Sequence, residues 1–338
     1  MSEPVRAVRS PVKITDVATA AGVAPMTVSR VINTPERVSP ETAERVRAAI
    51  AALGYVPNMI AGGLSSRRSR MVAAIVPTIA HPMFADLIEA FTTAMRQAGY
   101  EVMLSLSFYP DHGNEDLIRA LLGRRPDAML ITGAAHTPLA TQLLSEAQIP
   151  IVQVWDTSET PIDMLVGLDH AHAGQAVAAY FLAKGYRSFA AVSAGDTRAL
   201  LRCNSFLESA TKAGAAILPL RRVSSPSTIG EGRAAMRALA ADLTEPTALF
   251  CSSDSLAFGA IMEATQLGIP TPERLGVCGF GNFELSEASN PPFTSVNVAS
   301  AEAGRTAAAF LLRRLTGEPP SQSMRATMPF TIVERATT

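Results

Sequence analysis

Residues 13 to 33 read Lys-Ile-Thr-Asp-Val-Ala-Thr-Ala-Ala-Gly-Val-Ala-Pro-Met-Thr-Val-Ser-Arg-Val-Ile-Asn, and their reading decides the fold of the first part of the chain. Thr15 is expected to cap a short helix, because a hydroxyl accepts one of the orphan N–H groups of a first turn, and Val17, Ala18 and Ala21 then form an apolar face. Gly22 ends it. Val23 plugs the turn into a core, and Pro25, whose missing N–H costs nothing in a first turn, opens a second helix running to about Asn33. Val28, Val31 and Ile32 fall inward at helical spacing. Pro25, Met26, Thr27, Ser29, Arg30 and Asn33 are left outward, a polar row of the kind a recognition helix lays in a major groove. The same helix pair also suits a small bundle with a solvated face. Ser39 and Pro40 start a third helix, whose Ala43, Val46, Ile50 and Leu53 are expected to close the core before Gly54 stops it.

Charge separates this head from the rest. Through Arg70 there are ten basic and five acidic residues, a balance of +5, which leaves nineteen against twenty-five, or −6, in the remainder of a chain whose net charge is −1. A basic head on an acidic body suits phosphate contact at one end only, although arginines also cluster by chance. With 338 residues, 48% hydrophobic and 17% charged, two or three domains rich in buried sheet are expected.

Cys203, Cys251 and Cys278 are odd in number and lack a CxxC spacing, so no disulfide framework is read and a reducing compartment is expected. The N-terminus carries basic residues without an apolar core segment, and no run approaches the roughly 20 apolar residues that span a bilayer. The sequence reading is therefore cytoplasmic, with no membrane partner.

Beyond the head, Gly54-Tyr-Val-Pro-Asn58 is followed by Ile60-Ala-Gly-Gly-Leu-Ser-Ser-Arg67. Taken with Asp16-Val-Ala18 and Thr27-Val-Ser-Arg-Val31, this run resembles the lac repressor (LacI/GalR) family. The resemblance implies a DNA-binding head over 1–57, a hinge helix and linker over 58–70, and an effector-binding and dimerisation domain over 71–338. It implies DNA contacts from Thr15, the outward row of the second helix, Asn58 and Ala61, with Leu64 as a wedge entering the minor groove. The short hinge carries Gly62 and Gly63, so alone in water it should be a poor helix, and it is expected to fold only on DNA beside its dimer mate.

From residue 71 the pattern changes to alternating β and α units. Met71–Val76 is a short continuous apolar run, as a parallel strand covered on both faces requires. Helix 83–98, strand 102–106, helix 114–122, strand 127–132, helix 138–147 and strands 150–154 and 164–168 follow. A second set comprises helix 173–184, strand 188–192, helices 200–213 and 231–241, strand 248–251, helix 256–267 and strand 275–278, then a late helix 302–315 and a last strand 328–333. This is an α/β chain of two doubly wound lobes. By resemblance the body has periplasmic-binding-protein-like architecture with three crossovers, placing 71–170 with 299–318 in one lobe and 171–298 with 319–336 in the other. The chain ends soon after Val333 without a heptad tail, which favours a homodimer over a tetramer.

An effector site is expected between the lobes, at the carboxyl ends of their strands. Family resemblance marks His81-Pro-Met-Phe84 as the stretch whose aromatic stacks on the effector, and Arg202 as the arginine that ligates hydroxyls or a carboxylate. Ser252-Ser253-Asp254 matches the family's Asn-Asp pair with only Asp254 kept. After Phe280 the usual acidic pair that holds sugar hydroxyls is replaced by Gly281-Asn282. Losing carboxylates while keeping Arg198 and Arg202 favours an anionic ligand, since a buried anion needs opposite charge and no like charge nearby. Ala135-His136-Thr137-Pro138, Trp155-Asp156 and Thr197-Arg198 are further similar to the gluconate-operon repressor branch. Phe84, His136, Trp155, Asp156, Arg198, Arg202, Asp254 and Asn282 are accordingly the expected effector contacts, with gluconate or a related sugar acid as the effector.

Competing readings are a phosphosugar or neutral-sugar effector, a co-repressor mode, core roles for Phe84 and Trp155, a solvated His136, and ion pairing of Arg198 with a surface carboxylate. His170-x-His172 lacks the Cys or carboxylate set that would complete a metal site, so no metal and no cofactor are expected. Gly279-Phe-Gly281-Asn-Phe-Glu284 lacks the third glycine of a dinucleotide loop, and no other catalytic motif appears, so no enzyme is read. An exported sugar-binding protein would leave the basic head unexplained.

Overall fold

A computed structural model describes residues 12–56, 68–107, 114–133, 137–321 and 324–338. The chain divides into two compact units, Met1–Ser69 and Arg70–Thr338. The hinge positions Asn58, Ala61 and Leu64 and the loop residue His136 lie outside the described residues.

The first unit holds α1 (Ile14–Ala21), α2 (Pro25–Asn33) and α3 (Pro40–Leu53), joined around a core of Val17, Ala18, Ala21, Val28, Val31, Ala43, Val46 and Ala49. Gly22 and Gly54 end α1 and α3 in the left-handed region, at φ 66° and 63°, where a side chain would be strained. Two expectations need correction. Thr15 is not the cap: Lys13, two residues earlier, holds that position, and the Asp16 carboxylate accepts the Lys13 N–H at 2.8 Å, a negative charge at the positive end of the helix. Nor does Leu53 close the core. It is 38% exposed, because α3, at 14 residues, outruns the 8- and 9-residue helices it packs on, and Ala49 is buried instead.

The second unit opens with β1 (Met71–Val76), α4 (Pro82–Gln97), β2 (Glu101–Leu106), α5 (Glu115–Leu122), β3 (Ala128–Thr132), α6 (Pro138–Glu146), β4 (Ile151–Trp155) and β5 (Met164–Gly167). It continues with α7 (His170–Ala183), β6 (Ser188–Ala194), α8 (Thr197–Lys212), β7 (Ala216–Ile217), β8 (Arg221–Val223), α9 (Ile229–Leu239), β9 (Thr247–Cys251), α10 (Asp254–Gln266), β10 (Leu275–Gly281) and α11 (Glu284–Ala288). β11 (Thr294–Val298), α12 (Ser300–Leu315), β12 (Arg325–Thr327) and β13 (Phe330–Val333) complete it.

One sheet runs β12-β5-β4-β3-β1-β2 with every pairing parallel; the other runs β13-β11-β10-β9-β6-β7, with β8 also on β6 and only β13 antiparallel. β3, β4, β6 and β9 are buried along their whole length, as continuous apolar strands between helical layers must be. The chain crosses between sheets after β5, again between β11 and α12, which packs on α4 and β4, and a third time between β12 and β13. That third crossing corrects the placement of 319–336 in the second lobe. Arg325–Thr327 pairs with Leu165–Gly167 of the first sheet, and the Met328 N–H extends the ladder to the Gly167 carbonyl at 2.7 Å.

Four helices start two or three residues before the apolar period that announces them, and each starts on a polar cap: Asp169 for α7, Asp196 for α8, Thr228 for α9 and Ser253 for α10. Apolar spacing marks the buried turns, whereas the first turn is fixed by side-chain acceptors for orphan N–H groups. These early starts bring His170, Arg198 and Asp254 into first turns. Among the described residues no helix is long and apolar enough to cross a membrane.

Candidate functional site

In the first unit α2 presents the expected outward row. Met26 is 64% exposed, Pro25, Arg30 and Asn33 are exposed, Thr27 and Ser29 are half-buried, and Thr15 is exposed on α1. The Asn33 amide donates to the Ser29 carbonyl at 3.0 Å and to its hydroxyl at 3.3 Å, which stiffens the last turn of that face.

In the second unit the carboxyl ends of β4 and β6 and the first turns of α4, α7 and α8 enclose a narrow cleft of ≈ 40 Å³. His81, Met83, Phe84 and Trp155 line it from the first lobe; His170, Asp196, Arg198, Arg202, Ser227, Ser252 and Ser253 line it from the second. Phe84 and Trp155 are buried edge-to-face with ring centres 5.4 Å apart. Trp155 ends β4 with φ 81°, and its indole Nε1–H has no hydrogen-bond partner among the described residues.

Arg198 and Arg202 sit one turn apart on α8. Arg202 is 6% exposed; its Nη1 donates to His170 Nδ1 at 3.0 Å, its Nη2 donates to the Ser252 carbonyl at 3.0 Å, and its guanidinium lies 3.9 Å over the Phe280 ring. α7 can approach α8 this closely only because of Gly174, where a Cβ would fall 2.1 Å from the Arg202 carbonyl oxygen. Arg198 reaches across the lobes to Asp156, just past β4: Nε donates to Oδ1 at 2.6 Å and Nη2 to Oδ2 at 3.3 Å, with the side chains 13% and 20% exposed. Its partner is thus a cleft carboxylate rather than a surface one.

Burial first, then the Arg202 and Arg198 guanidiniums, hold the His170 imidazole well below its usual 6.5, so it is neutral at physiological pH. Burial likewise lowers His81, against the opposing pull of Asp196. Asp196 is itself committed: it accepts the Ala199 N–H at 3.0 Å as the cap of α8 and the Ser225 hydroxyl at 3.2 Å.

The structure thus brings together Phe84, Trp155, Asp156, Arg198 and Arg202. It does not bring Asp254 and Asn282 to the cleft. Asp254, in the first turn of α10, accepts the Phe283 N–H at 2.7 Å and the Ser295 hydroxyl at 2.5 Å beneath Gly279, where a Cβ would fall 2.2 Å from its Oδ1. Burial raises its carboxyl to about 6. The Asn282 side-chain carbonyl accepts from Arg335 Nη2 at 2.9 Å, and both residues belong to a bracket that holds the ends of β10 and β11 to the C-terminal segment. Sequence reading had considered His170 only as half of a His-x-His pair. Its cap, Asp169 immediately before His170-x-His172, is the available signal that it opens a helix at the cleft. Ser227 and Asp196 carried no motif at all. Among the described residues no group of His, Cys, Asp and Glu is arranged to hold a metal ion.

Comparison with known proteins gives the same two parts. The model for bacterial regulatory proteins of the lacI family matches residues 13–58, and that for a periplasmic binding protein-like domain matches residues 178–338. The HTH-type transcriptional regulator GntR of Pseudomonas aeruginosa is 33% identical over 327 residues, 96% of this chain and 95% of that one. GntR of Escherichia coli K12 is 28% identical over 311 residues, 91% and 93% of the two chains. Among solved structures, a transcriptional regulator of the LacI family from Silicibacter pomeroyi superposes with a TM-score of 0.90 at 31% identity, covering 97% of this chain and 99% of its own. The lac repressor dimer bound to operator and the anti-inducer ONPF shares the fold, with a TM-score of 0.83 at 24% identity over 97% and 99% of the chains. These proteins are transcriptional regulators and not enzymes. A three-helix head, two crossed-over α/β lobes around a cleft, and this likeness along nearly the whole length establish that the chain belongs to the LacI family of bacterial transcriptional regulators.

Proposed function

We propose that the protein is a cytoplasmic, homodimeric repressor that binds a pseudo-palindromic operator and is released by a small sugar acid such as gluconate. The observation that carries the effector reading is the pair of guanidiniums, Arg198 and Arg202, one turn apart on α8 and both lining one cleft. The chemistry of this lining suits a carboxylated polyol: guanidinium for the carboxylate, the indole Nε1–H of Trp155 and the hydroxyls of Ser252 and Ser253 for hydroxyls, the Phe84 ring for the carbon chain. Relatives named GntR, alike over nine-tenths of the chain, support the same class of ligand.

On the DNA side, two copies of α2 would each enter a major groove, with Met26 and Thr27 at base edges and Arg30 on a base or phosphate, so the operator must be pseudo-palindromic. Leu64 of each hinge would wedge the minor groove between them. Effector binding in the cleft would separate the paired hinges and undo their coupled folding, a coupling of about 1–3 kcal/mol that operator binding must return to the effector.

Fluorescence anisotropy of the protein on its own promoter DNA, at stated salt, tests the reading. Sequence-dependent binding released by gluconate, and not by neutral hexoses or phosphosugars, is the expected result. Specific binding that ignores gluconate would discard the effector, and absence of specific binding would discard the repressor.

A further inference from the structure

The cleft already contains a carboxylate held as a ligand's would be. We propose that Asp156 is the built-in occupant of the effector's carboxylate subsite, and that an effector carboxylate takes its place on Arg198. This rests on the sugar-acid reading above.

Geometry supports it first. Asp156 comes from the first lobe and Arg198 from the second, yet their two-point contact, 2.6 and 3.3 Å, is the fork geometry by which guanidinium recognises any carboxylate. A third donor faces the same oxygen. Because Arg202 always donates, His170 Nδ1 must accept, which leaves the proton on Nε2; that atom lies 3.9 Å from Asp156 Oδ1, longer than a hydrogen bond, with the Trp155 backbone also beside the ring. Arg198 and His170 thus converge on one carboxylate position. The wall beside it is bare backbone: at Gly133, φ 97°, a Cβ would stand 2.8 Å from Arg198 Nη2 and 3.3 Å from Asp156 Oδ2.

Charge balance supports it next. With His81 and His170 neutral, the charges at or beside the cleft among the described residues are Arg198 and Arg202 against Asp156 and Asp196, which balance. A buried anion entering such a site needs one carboxylate to leave. Asp196 is tied to the start of α8 and to Ser225. Asp156 stands just past the end of β4 with a fifth of its side chain exposed, so water already reaches the carboxylate that the effector would displace. The exchange is carboxylate for carboxylate, with no change in bonding and no proton required. It also makes Asp156 a selectivity element, since a neutral polyol of the same length cannot replace it on Arg198.

Calorimetric titration of the full-length protein and of its Asp156→Asn variant with D-gluconate and with sorbitol, in one buffer at one salt concentration, tests the exchange. Removing the resident charge should tighten gluconate binding by about tenfold or more and give sorbitol no such gain. Gluconate affinity that is unchanged or weaker in the variant, with the parent protein binding normally, would overturn the exchange and leave the sugar-acid reading standing. Failure of both proteins to bind gluconate would remove the sugar-acid reading and the exchange together. Should circular dichroism show that Asp156→Asn does not fold, Asp156→Ser carries the same comparison.

Discussion

Arg202 Nη1 donates to His170 Nδ1 at 3.0 Å, so the guanidinium of one helix sets the tautomer of the histidine that opens the helix before it. The same guanidinium holds the Ser252 carbonyl and covers Phe280, joining α7, α8, β9 and β10 at a single buried point. A side chain so placed serves the cleft and the lobe at once.

Arg202→Ala should therefore raise the Kd for gluconate by more than about tenfold while operator affinity in its absence stays within about twofold. Arg202→Lys should rescue poorly, because an ammonium cannot donate in two fixed directions and stack on a ring together. Anisotropy on operator DNA with and without gluconate reads both quantities.

Gly174→Ala should destabilise the body by at least ~1–3 kcal/mol, the usual cost of an overpacked helix contact, since its Cβ would meet the Arg202 carbonyl. Urea unfolding measures the loss. Displacement of α8 should weaken gluconate binding in the same variant.

Asp254 gives a signed pH dependence. Burial lifts its carboxyl from an ordinary 3.8 to about 6, so the folded protein holds a proton that the unfolded chain has lost between those values. Its contribution to stability is full below about pH 4, falls as pH rises to about 6, and is flat above, a change of ~3 kcal/mol at most. The difference in unfolding free energy between the parent protein and Asp254→Asn, followed by urea titration from pH 4 to 8, should show that fall; a difference independent of pH would contradict it.

Leu64→Ala should weaken binding to operator far more than binding to non-specific DNA, because wedging a base step is useful only where the two heads are in register. Equal losses on both DNAs would remove the wedge role.

Much of this was legible in the sequence for a physical reason. The head is a short-range object, in which Gly22, Pro25 and Gly54 punctuate local periods, and its helices fall where those residues require. The parallel strands are equally plain, since burial on both faces leaves uninterrupted runs such as Ala128–Thr132. What escaped was what polar residues decide. β11, Thr-Ser-Val-Asn-Val, is buried at four of its five positions but carries too little apolar pattern to announce itself. Asp254 reads as a ligand contact because it keeps a family motif, and Asn282 because it stands where that family has an acidic pair, whereas only tertiary structure shows the Ser295 and Arg335 that engage them. Arg198 was ambiguous for the opposite reason: its partner, Asp156, is 42 residues away and on the other lobe.

The strands Arg325–Thr327 and Phe330–Val333 sit at the outer ends of different sheets. One short ribbon therefore covers the open hydrogen-bonding edges of both β5 and β11. A protein clipped ahead of Arg325 would show two bare parallel-sheet edges flanked by apolar faces, the surface on which chains add to one another strand by strand. Such a fragment should leave solution as aggregate rather than persist as a weaker binder, so loss of these last residues would be felt as protein abundance before it was felt as regulation.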